Sequence, residues 1–239
     1  MPHNRYYIDS VLEADSTLVL KEEQWHHLAH VQRARVGEAI ELVNGQGVLA
    51  KARVAALNKR DAAVAIEEIS EVAAAPSPLI LAQAIPRMSH LEWIIEKGCE
   101  LGATAFWLFP GNLSEKESLN PAQMARLKAI AVAAMKQCGR LDLPEIVILP
   151  PLVQWTLPQK GTLLFGDTEE SAPYLWEMQL PSPLKLPVVL FIGPEKGFDA
   201  TEVCFLRNKL NASGTRLHKN ILRAETAPLV ALSLIQRFL

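Results

Sequence analysis

The segment PVVLFIGPEKGFDATE, residues 187–202, decides the fold of the longer part of this chain. It opens with an unbroken apolar run, which is typical of a strand buried on both faces of a sheet. The loop GPEKGF follows at residues 193–198 and contains two glycines, as a tight turn requires. Asp199 and Glu202 have the spacing of a capping box, which predicts that a helix begins after Asp199. Strand, glycine-containing loop and helix in this order form the repeating unit of a parallel sheet.

The same alternation extends over residues 79–239. Continuous apolar runs predict strands, and capped or helically periodic segments predict helices between them. Strands of this kind need helices on both faces of a parallel sheet, so the predicted fold class is α/β. The predicted strands are 79–85, 104–109, 145–149, 162–165, 187–192 and 215–217, and the predicted helices are 89–101, 121–138, 171–178, 199–210 and 225–239.

The first part of the chain has a different pattern. Asn44-Gly45 is the dipeptide of a tight β-hairpin, and strand-like segments lie on both sides of it. The uncharged sequence AAAPSP at residues 73–78 is typical of a linker. We therefore predict a small β-barrel in residues 1–72, separate from a second domain in residues 79–239. Its predicted strands are 5–8, 38–43, 47–55 and 61–69, with one helix at 21–31.

The composition excludes several classes of protein. The chain has 239 residues, 49% of them hydrophobic, and a net charge of −2, so it is not disordered and carries no overall basic charge. No apolar run approaches the roughly 20 residues of a membrane helix, and no export signal is evident, which predicts a cytoplasmic protein. The three cysteines are far apart, and they indicate neither a disulfide framework nor a zinc site.

Ligands of open parallel sheets bind beyond the carboxyl ends of the strands. Two loops there carry unusual residues. Residues 193–198 could be an ordinary turn, or they could bring backbone N–H groups close to a ligand. Arg223 and Glu225 could be a surface ion pair, or an arginine that holds a substrate beside its positioning carboxylate. The loop at 193–198 is not the GxGxxG of nicotinamide enzymes, so such an enzyme is not predicted.

Other polar residues indicate less specific chemistry. His26 and His30 are one helical turn apart, but there is no third ligand in view and we predict no metal site. Cys138 has no histidine near it in sequence and is not predicted to be a nucleophile. Arg140 could cap the end of a helix or face a substrate.

Six segments of the chain, in order, resemble the bacterial 16S ribosomal RNA methyltransferases that act on uracil ring nitrogen 3. These enzymes are a branch of the SPOUT, or trefoil-knotted, methyltransferases. The resemblance spans nearly the whole chain. The segments are NRYYID (4–9), HHLAHVQRARVGEAIEL (26–42), LEWIIEKGCELGA (91–103), KQCGRLDLPEI (136–146), IGPEKGF (192–198) and ILRAETAPLVAL (221–232).

The resemblance implies a PUA-like, RNA-binding β-barrel followed by a SPOUT domain with a C-terminal trefoil knot. It also implies a homodimer that binds S-adenosylmethionine and acts on 16S rRNA or the small ribosomal subunit, with no role for DNA or a membrane. We expect Arg223 to stabilise the uracil anion, Glu225 to orient Arg223, and Arg140 to hold RNA. The cofactor residues implied are Phe165, Gly166, Ile192, Gly193, Glu195, Leu217, Ile221 and Leu222, and the RNA-binding residues are Arg5, Arg33 and Arg87.

The chain departs from the family pattern at three residues near this site. Lys196 replaces a glycine of GPEGGF, and a left-handed backbone at that residue would be strained. His218 and Asn220 replace a glycine and an arginine. Two alternatives therefore stay open: a homologue that binds RNA or the ribosome with little or no catalysis, and a SPOUT enzyme that methylates another RNA site, such as a ribose 2′-hydroxyl.

Overall fold

The computed structural model describes residues 4–72, 78–156, 161–182 and 187–239. The chain falls into two compact units, one made of Met1–Ala74 with Val132–Leu143 and the other of Ala75–Ala131 with Pro144–Leu239. Residues 73–77 of the predicted linker lie outside the described residues. Pro78 already extends the sheet of the second unit, because its carbonyl accepts a hydrogen bond of 2.9 Å from the backbone N–H of Val188.

The first unit is built on a curled sheet of five strands, a half-barrel in the order β1-β3-β4-β5-β2. β1 runs parallel to β3, and the other neighbours are antiparallel. The side chains on its inner face form the core of this unit, with Leu28 and Leu42 fully buried. The elements are β1 (Arg5–Tyr7), β2 (Thr17–Lys21), α1 (Glu22–His26), β3 (Ala39–Val43), β4 (Val48–Leu57) and β5 (Asp61–Glu71).

The predicted hairpin and the four predicted strands of this unit are confirmed, but β2 was missed. β2 is an edge strand with only Leu20 buried, so its sequence carries little apolar alternation. The predicted helix at 21–31 is shorter than expected: α1 ends at His26 and a π-helical turn, His27–Val31, follows it.

The second unit is a six-stranded sheet in the order β11-β9-β10-β6-β7-β8, and every neighbouring pair is parallel. The predicted α/β fold class is confirmed, while the trefoil knot stays a prediction. The elements are β6 (Leu79–Ala84), α2 (Met88–Glu100), β7 (Ala105–Phe109), α3 (Pro121–Cys138), β8 (Glu145–Ile148), β9 (Thr162–Gly166), β10 (Val188–Ile192), α4 (Ala200–Asn208), β11 (Ser213–Thr215) and α5 (Ala227–Ile235), with 3₁₀ turns at Leu152–Gln154, Leu175–Glu177 and Gln236–Phe238. From Val132 onward, the residues of α3 belong to the first unit.

Two predictions for this unit were wrong in detail. The helix expected at 171–178 is only the short turn Leu175–Glu177, because the Pro173 carbonyl accepts hydrogen bonds from the backbone N–H of Arg216 and the hydroxyl of Thr215. The backbone of this segment is thereby held beside β11. The last strand lies two residues earlier than expected, so Leu217 belongs to the loop that follows it.

None of the helices in the described ranges combines the length and the apolar character that crossing a membrane demands.

The start of α4 is fixed by the predicted capping box. An Asp199 carboxylate oxygen accepts a 2.8 Å hydrogen bond from the Glu202 backbone N–H, and Glu202 accepts one of 3.1 Å from the Asp199 N–H. The other Glu202 oxygen accepts from the N–H of Asn112, in the loop after β7. Burial raises the pKa of Glu202, although these hydrogen bonds oppose the shift. The cap therefore connects α4 to a neighbouring loop.

We expect Asp199→Ala to lower the free energy of unfolding by about 1 kcal/mol, because an N-cap acceptor is lost. Urea denaturation followed by circular dichroism measures this loss. Asp199→Asn keeps an acceptor oxygen and should recover most of it. Equal unfolding midpoints for Asp199→Ala and the unchanged protein would contradict the assigned cap.

Candidate active site

The carboxyl ends of four neighbouring strands meet at one edge of the second sheet. β10 lies between β6 and β9, and β9 also pairs with β11. In register, Ile192 lies opposite Gln83, and Gly166 lies opposite Thr215. The loops that leave β9, β10 and β11 therefore start side by side. These loops carry most of the residues predicted to bind a cofactor.

Three of those residues pack closely at the strand ends. A Cβ atom at Gly166 would lie 3.3 Å from Cδ1 of Ile192 and 3.8 Å from Cδ1 of Leu217. Ile192 and Leu217 are both buried. The absence of a side chain at Gly166 thus lets these two aliphatic side chains approach the backbone at the end of β9. Apolar side chains of this kind are typical of the lining of small-molecule sites.

The loop after β10 turns back closely on itself. A Cβ atom at Gly193 would lie 2.9 Å from the Gly197 carbonyl carbon and 3.0 Å from the Phe198 nitrogen. Since both contacts are with backbone, only glycine fits at residue 193 without a shift of the loop. Gly197 has a φ of 76°, in the left-handed region, and its N–H donates to the Pro194 carbonyl over 2.9 Å.

Lys196 does not carry the backbone strain that its side chain led us to expect. The left-handed residue of this loop is Gly197, and Lys196 is not among the residues with positive φ. Its side chain is exposed, and its charge lowers the pKa of Glu115, although Arg87 does so more strongly. The lysine is therefore accommodated in the loop.

Gln83, at the end of β6, ties that strand to the loop after β10. Its Nε2 donates to the carbonyls of Ala84, Ile192 and Gly193 over 2.9, 3.4 and 3.2 Å. The side chain is fully buried, and its Oε1 finds no partner within the described residues. Sequence reasoning missed Gln83, although a polar residue inside the apolar run LILAQA was a signal for it.

The Glu195 carboxylate is held by α2. Its Oε1 accepts a 3.0 Å hydrogen bond from the Arg87 backbone N–H and lies 3.1 Å from Nδ1 of His90. Burial acts to raise the pKa of Glu195, but the hydrogen bonds from the Arg87 and Glu195 N–H groups and from His90 lower it below its usual value. Glu195 is therefore ionised at neutral pH.

His90 also approaches the segment that carries the predicted catalytic residues. Its Nδ1 lies 3.7 Å from a Glu225 oxygen, and Arg223 lies 4.0 Å from the other oxygen of that carboxylate. The Arg223 side chain is 85% exposed, whereas that of Glu225 is only 20% exposed. The structure thus brings Glu195, Arg223 and Glu225 into one region. Sequence reasoning missed His90, because nothing in its local pattern distinguishes it from a surface residue of a helix.

The remaining cofactor candidates face the site in different ways. The Phe165 side chain is buried in the hydrophobic core against Phe198, so only its backbone is available to a ligand. Ile221 is 83% exposed, and Leu222 is half-buried. His218 and Asn220 are exposed and bonded to each other, since the Asn220 N–H donates to the His218 ring over 3.1 Å.

Arg140 and two of the predicted RNA-binding arginines belong to the first unit. The Arg5 side chain is only 8% exposed; it donates to Glu41 at 2.8 and 2.9 Å and also to the Arg140 carbonyl. Arg140 pairs with Asp142. Arg33 is exposed and has a left-handed backbone. Arg87, in the second unit, is exposed and pairs with Glu115 at 3.1 Å.

No three histidine, cysteine or acidic side chains in the described parts of the chain are grouped so that they could hold a metal ion.

Two family models match the sequence. The model of an RNA methyltransferase domain matches residues 73–236, and that of an RNA methyltransferase PUA domain matches residues 20–67.

Individual relatives match over nearly the full chain. Ribosomal RNA small subunit methyltransferase E of Synechocystis sp. is 32% identical, over 97% of this chain and 76% of that protein. A methyltransferase of Legionella pneumophila, solved in complex with the cofactor SAM, has a TM-score of 0.87 and 26% identity, over 99% of this chain and 98% of that one. Ribosomal RNA small subunit methyltransferase E of Neisseria gonorrhoeae, solved with bound S-adenosyl methionine, has a TM-score of 0.84 and 28% identity, over 98% and 97%.

The resemblance inferred from the motifs is confirmed by these matches. The methyltransferase model alone covers more than half of the residues. The chain belongs to the family of RNA methyltransferases that includes ribosomal RNA small subunit methyltransferase E.

Proposed function

We propose that this protein transfers a methyl group from S-adenosylmethionine to ring nitrogen 3 of a uridine in the 16S rRNA of the small ribosomal subunit. The observation that carries the proposal is the tight loop at Gly193, which starts at the shared carboxyl edge of the sheet, beside Gly166, and carries the ionised carboxylate of Glu195. The relatives whose names specify the small-subunit ribosomal RNA supply the substrate class.

The residues at the strand ends fit S-adenosylmethionine. Its adenine ring is flat and largely apolar, which suits contact with the aliphatic side chains of Ile192 and Leu217 at the strand ends. Its sulfonium is positively charged, which suits a site that contains the ionised carboxylate of Glu195. When bound, the cofactor supplies an electrophilic methyl carbon. The residues that would hold it are Phe165 through its backbone, Gly166, Ile192, Gly193, Glu195, Leu217, Ile221 and Leu222.

Arg223 is the proposed catalytic cation. The uracil ring nitrogen carries a proton and must lose it to become a nucleophile, so a nearby positive charge lowers the cost of the anion that forms. The exposed guanidinium of Arg223 is free to reach an RNA base outside the protein surface. Glu225 is its proposed positioning carboxylate, and the two groups are 4.0 Å apart.

The first unit is proposed to bind RNA. The match to a PUA domain of RNA methyltransferases supports this role for residues 1–72, with residues 79–239 as the SPOUT domain. Arg33 and Arg87 are exposed and suited to phosphate contacts, which makes binding salt-dependent. The buried, paired Arg5 supports the half-barrel and the backbone of Arg140. We further propose that Arg140 holds RNA, that the enzyme is a homodimer, and that it works in the cytoplasm, where its substrate is assembled.

A homologue without catalysis is less well supported. That alternative depends on Lys196, His218 and Asn220. Lys196 strains no backbone, and the other two residues are exposed. An enzyme that methylates a ribose hydroxyl would give a different nucleoside.

We expect Gly193→Ala to weaken the binding of S-adenosylmethionine at least about tenfold, because the new methyl group forces the loop backbone apart. Isothermal titration calorimetry of the purified protein measures this affinity. Gly37→Ala is the control: Gly37 has a positive φ, so alanine strains the backbone there, but nothing lies within 4 Å of the added carbon and Gly37 lies in the first unit, away from the loop. Unchanged affinity in Gly193→Ala, or equal losses in both variants, would contradict the assigned cofactor loop.

We expect Arg223→Ala to lower kcat by about 10²-fold, the usual cost of removing one group that stabilises a developing anion. The affinity for S-adenosylmethionine should change little, because Arg223 points to solvent. The measurement is methyl transfer to small ribosomal subunits, paired with the same titration. Arg126→Ala, at a comparably exposed arginine of α3, should leave both quantities unchanged. A parallel loss of kcat and cofactor affinity in Arg223→Ala would remove Arg223 from this role.

A further inference from the structure

His90 is placed between two carboxylates that come from distant parts of the sequence. Its Nδ1 is 3.1 Å from Glu195, in the loop after β10, and 3.7 Å from Glu225, just before α5. The side chains of His90, Glu195 and Glu225 are 28, 25 and 20% exposed. The three side chains come from three elements, so the cluster joins α2, the loop after β10 and the segment that carries Arg223.

Among the described residues, His90 is the group with a ring nitrogen close to both carboxylates, and the other nearby charges are engaged elsewhere or lie farther away. On α2, the Arg87 guanidinium is engaged by Glu115, and only its backbone N–H reaches Glu195. Lys196, in the loop itself, acts on Glu115. Arg223 stays 4.0 Å from Glu225 and is largely in solvent. Two partly buried carboxylates that share one ring nitrogen are stabilised best when that ring is positively charged.

We propose that His90, in its protonated form, is a positioning residue that ties the cofactor loop through Glu195 to Glu225, and thereby sets the segment from which Arg223 reaches the RNA. This inference rests on the proposed methyl transfer. His90 itself touches neither the methyl group nor the uracil in this role. It acts through the two carboxylates that it holds together.

The proposal has a definite dependence on pH. When the imidazole loses its proton, the two carboxylates face a neutral ring and the tie loosens, so the contribution of His90 is present at low pH and is lost as pH rises. Deprotonation of the uracil is favoured as pH rises, so it changes activity in the opposite direction. This effect is the same in the wild type and in a variant with a permanent positive charge at residue 90, and it cancels when their activities are compared.

The test compares the wild type with His90→Lys and His90→Gln in methyl transfer to small subunits, from about pH 6 to pH 9, across the range in which histidines change charge. A lysine keeps its positive charge across this range, whereas an imidazole as a class loses its charge within it. We expect the ratio of kcat in the wild type to kcat in His90→Lys to fall as pH rises. The kcat of His90→Gln should be about tenfold or more below that of the wild type at pH 6, because misplacing a group that holds the substrate slows the reaction by at least this factor. At pH 9 the two kcat values should approach each other.

Two results would overturn the proposal: a ratio of wild type to His90→Lys that is independent of pH, or a His90→Gln variant as active as the wild type at pH 6. Full activity in His90→Gln together with none in His90→Lys would instead indicate a neutral histidine, and would also overturn it.

A second measurement is independent of catalysis. The difference in thermal unfolding midpoint between the wild type and His90→Lys should change with pH in the same direction, and Glu225→Gln should reduce that change. If the wild type neither binds S-adenosylmethionine nor transfers a methyl group, the proposed function fails. The unfolding series still decides whether His90 ties the two carboxylates, and an unfolding difference that is insensitive to pH and to Glu225→Gln would overturn the tie itself.

Discussion

The parallel pairing of β10 with β6 on one side and β9 on the other determines where the candidate site of the second unit lies. All three strands end at the same edge, so the residues that follow them are neighbours although they are far apart in sequence. β10 is buried along its whole length, which makes its register costly to shift. Gln83 secures the pairing at its end by donating to the carbonyls of Ile192 and Gly193.

Glycine at two positions allows close packing at this edge, where we propose that the cofactor binds. Gly166 lets Ile192 and Leu217 approach the end of β9, and Gly193 lets the loop turn back so closely that a Cβ atom there would lie 2.9 Å from the Gly197 carbonyl carbon. The capping box of α4 and its bond to Asn112 fix the far end of the same loop. The loop is therefore held at both ends, and its rigidity reduces the entropy that ligand binding must offset. Charged residues lie beside this rigid framework, and the Arg223 side chain extends into solvent.

Much of this arrangement could be predicted from sequence, because it depends on local patterns. The apolar run and capping box around residues 187–202 predicted β10 and α4, and the rule of strand ends pointed to the loops at 193–198 and 218–226. The short edge strand β2 and the extended segment at Pro173 could not be predicted, since tertiary pairing decides them.

Among the residues of the candidate site, His90 is the one that sequence reasoning missed most clearly. Its two carboxylate partners are more than 100 residues away, at separations of 105 for Glu195 and 135 for Glu225 along the numbered chain, and no local pattern encodes such a contact. The strain expected at Lys196 was misplaced by one residue, because the left-handed turn falls on Gly197.

The central claim is methyl transfer to a uracil ring nitrogen, and nucleoside analysis tests it most directly. Small ribosomal subunits that lack the modification are incubated with the protein and with S-adenosylmethionine labelled in its methyl group. The 16S rRNA is then digested and its nucleosides are separated and identified by mass spectrometry. The account predicts that the label appears in 3-methyluridine and depends on Arg223. Label in a 2′-O-methylated nucleoside, or no label in RNA from a protein that binds the cofactor, would contradict it.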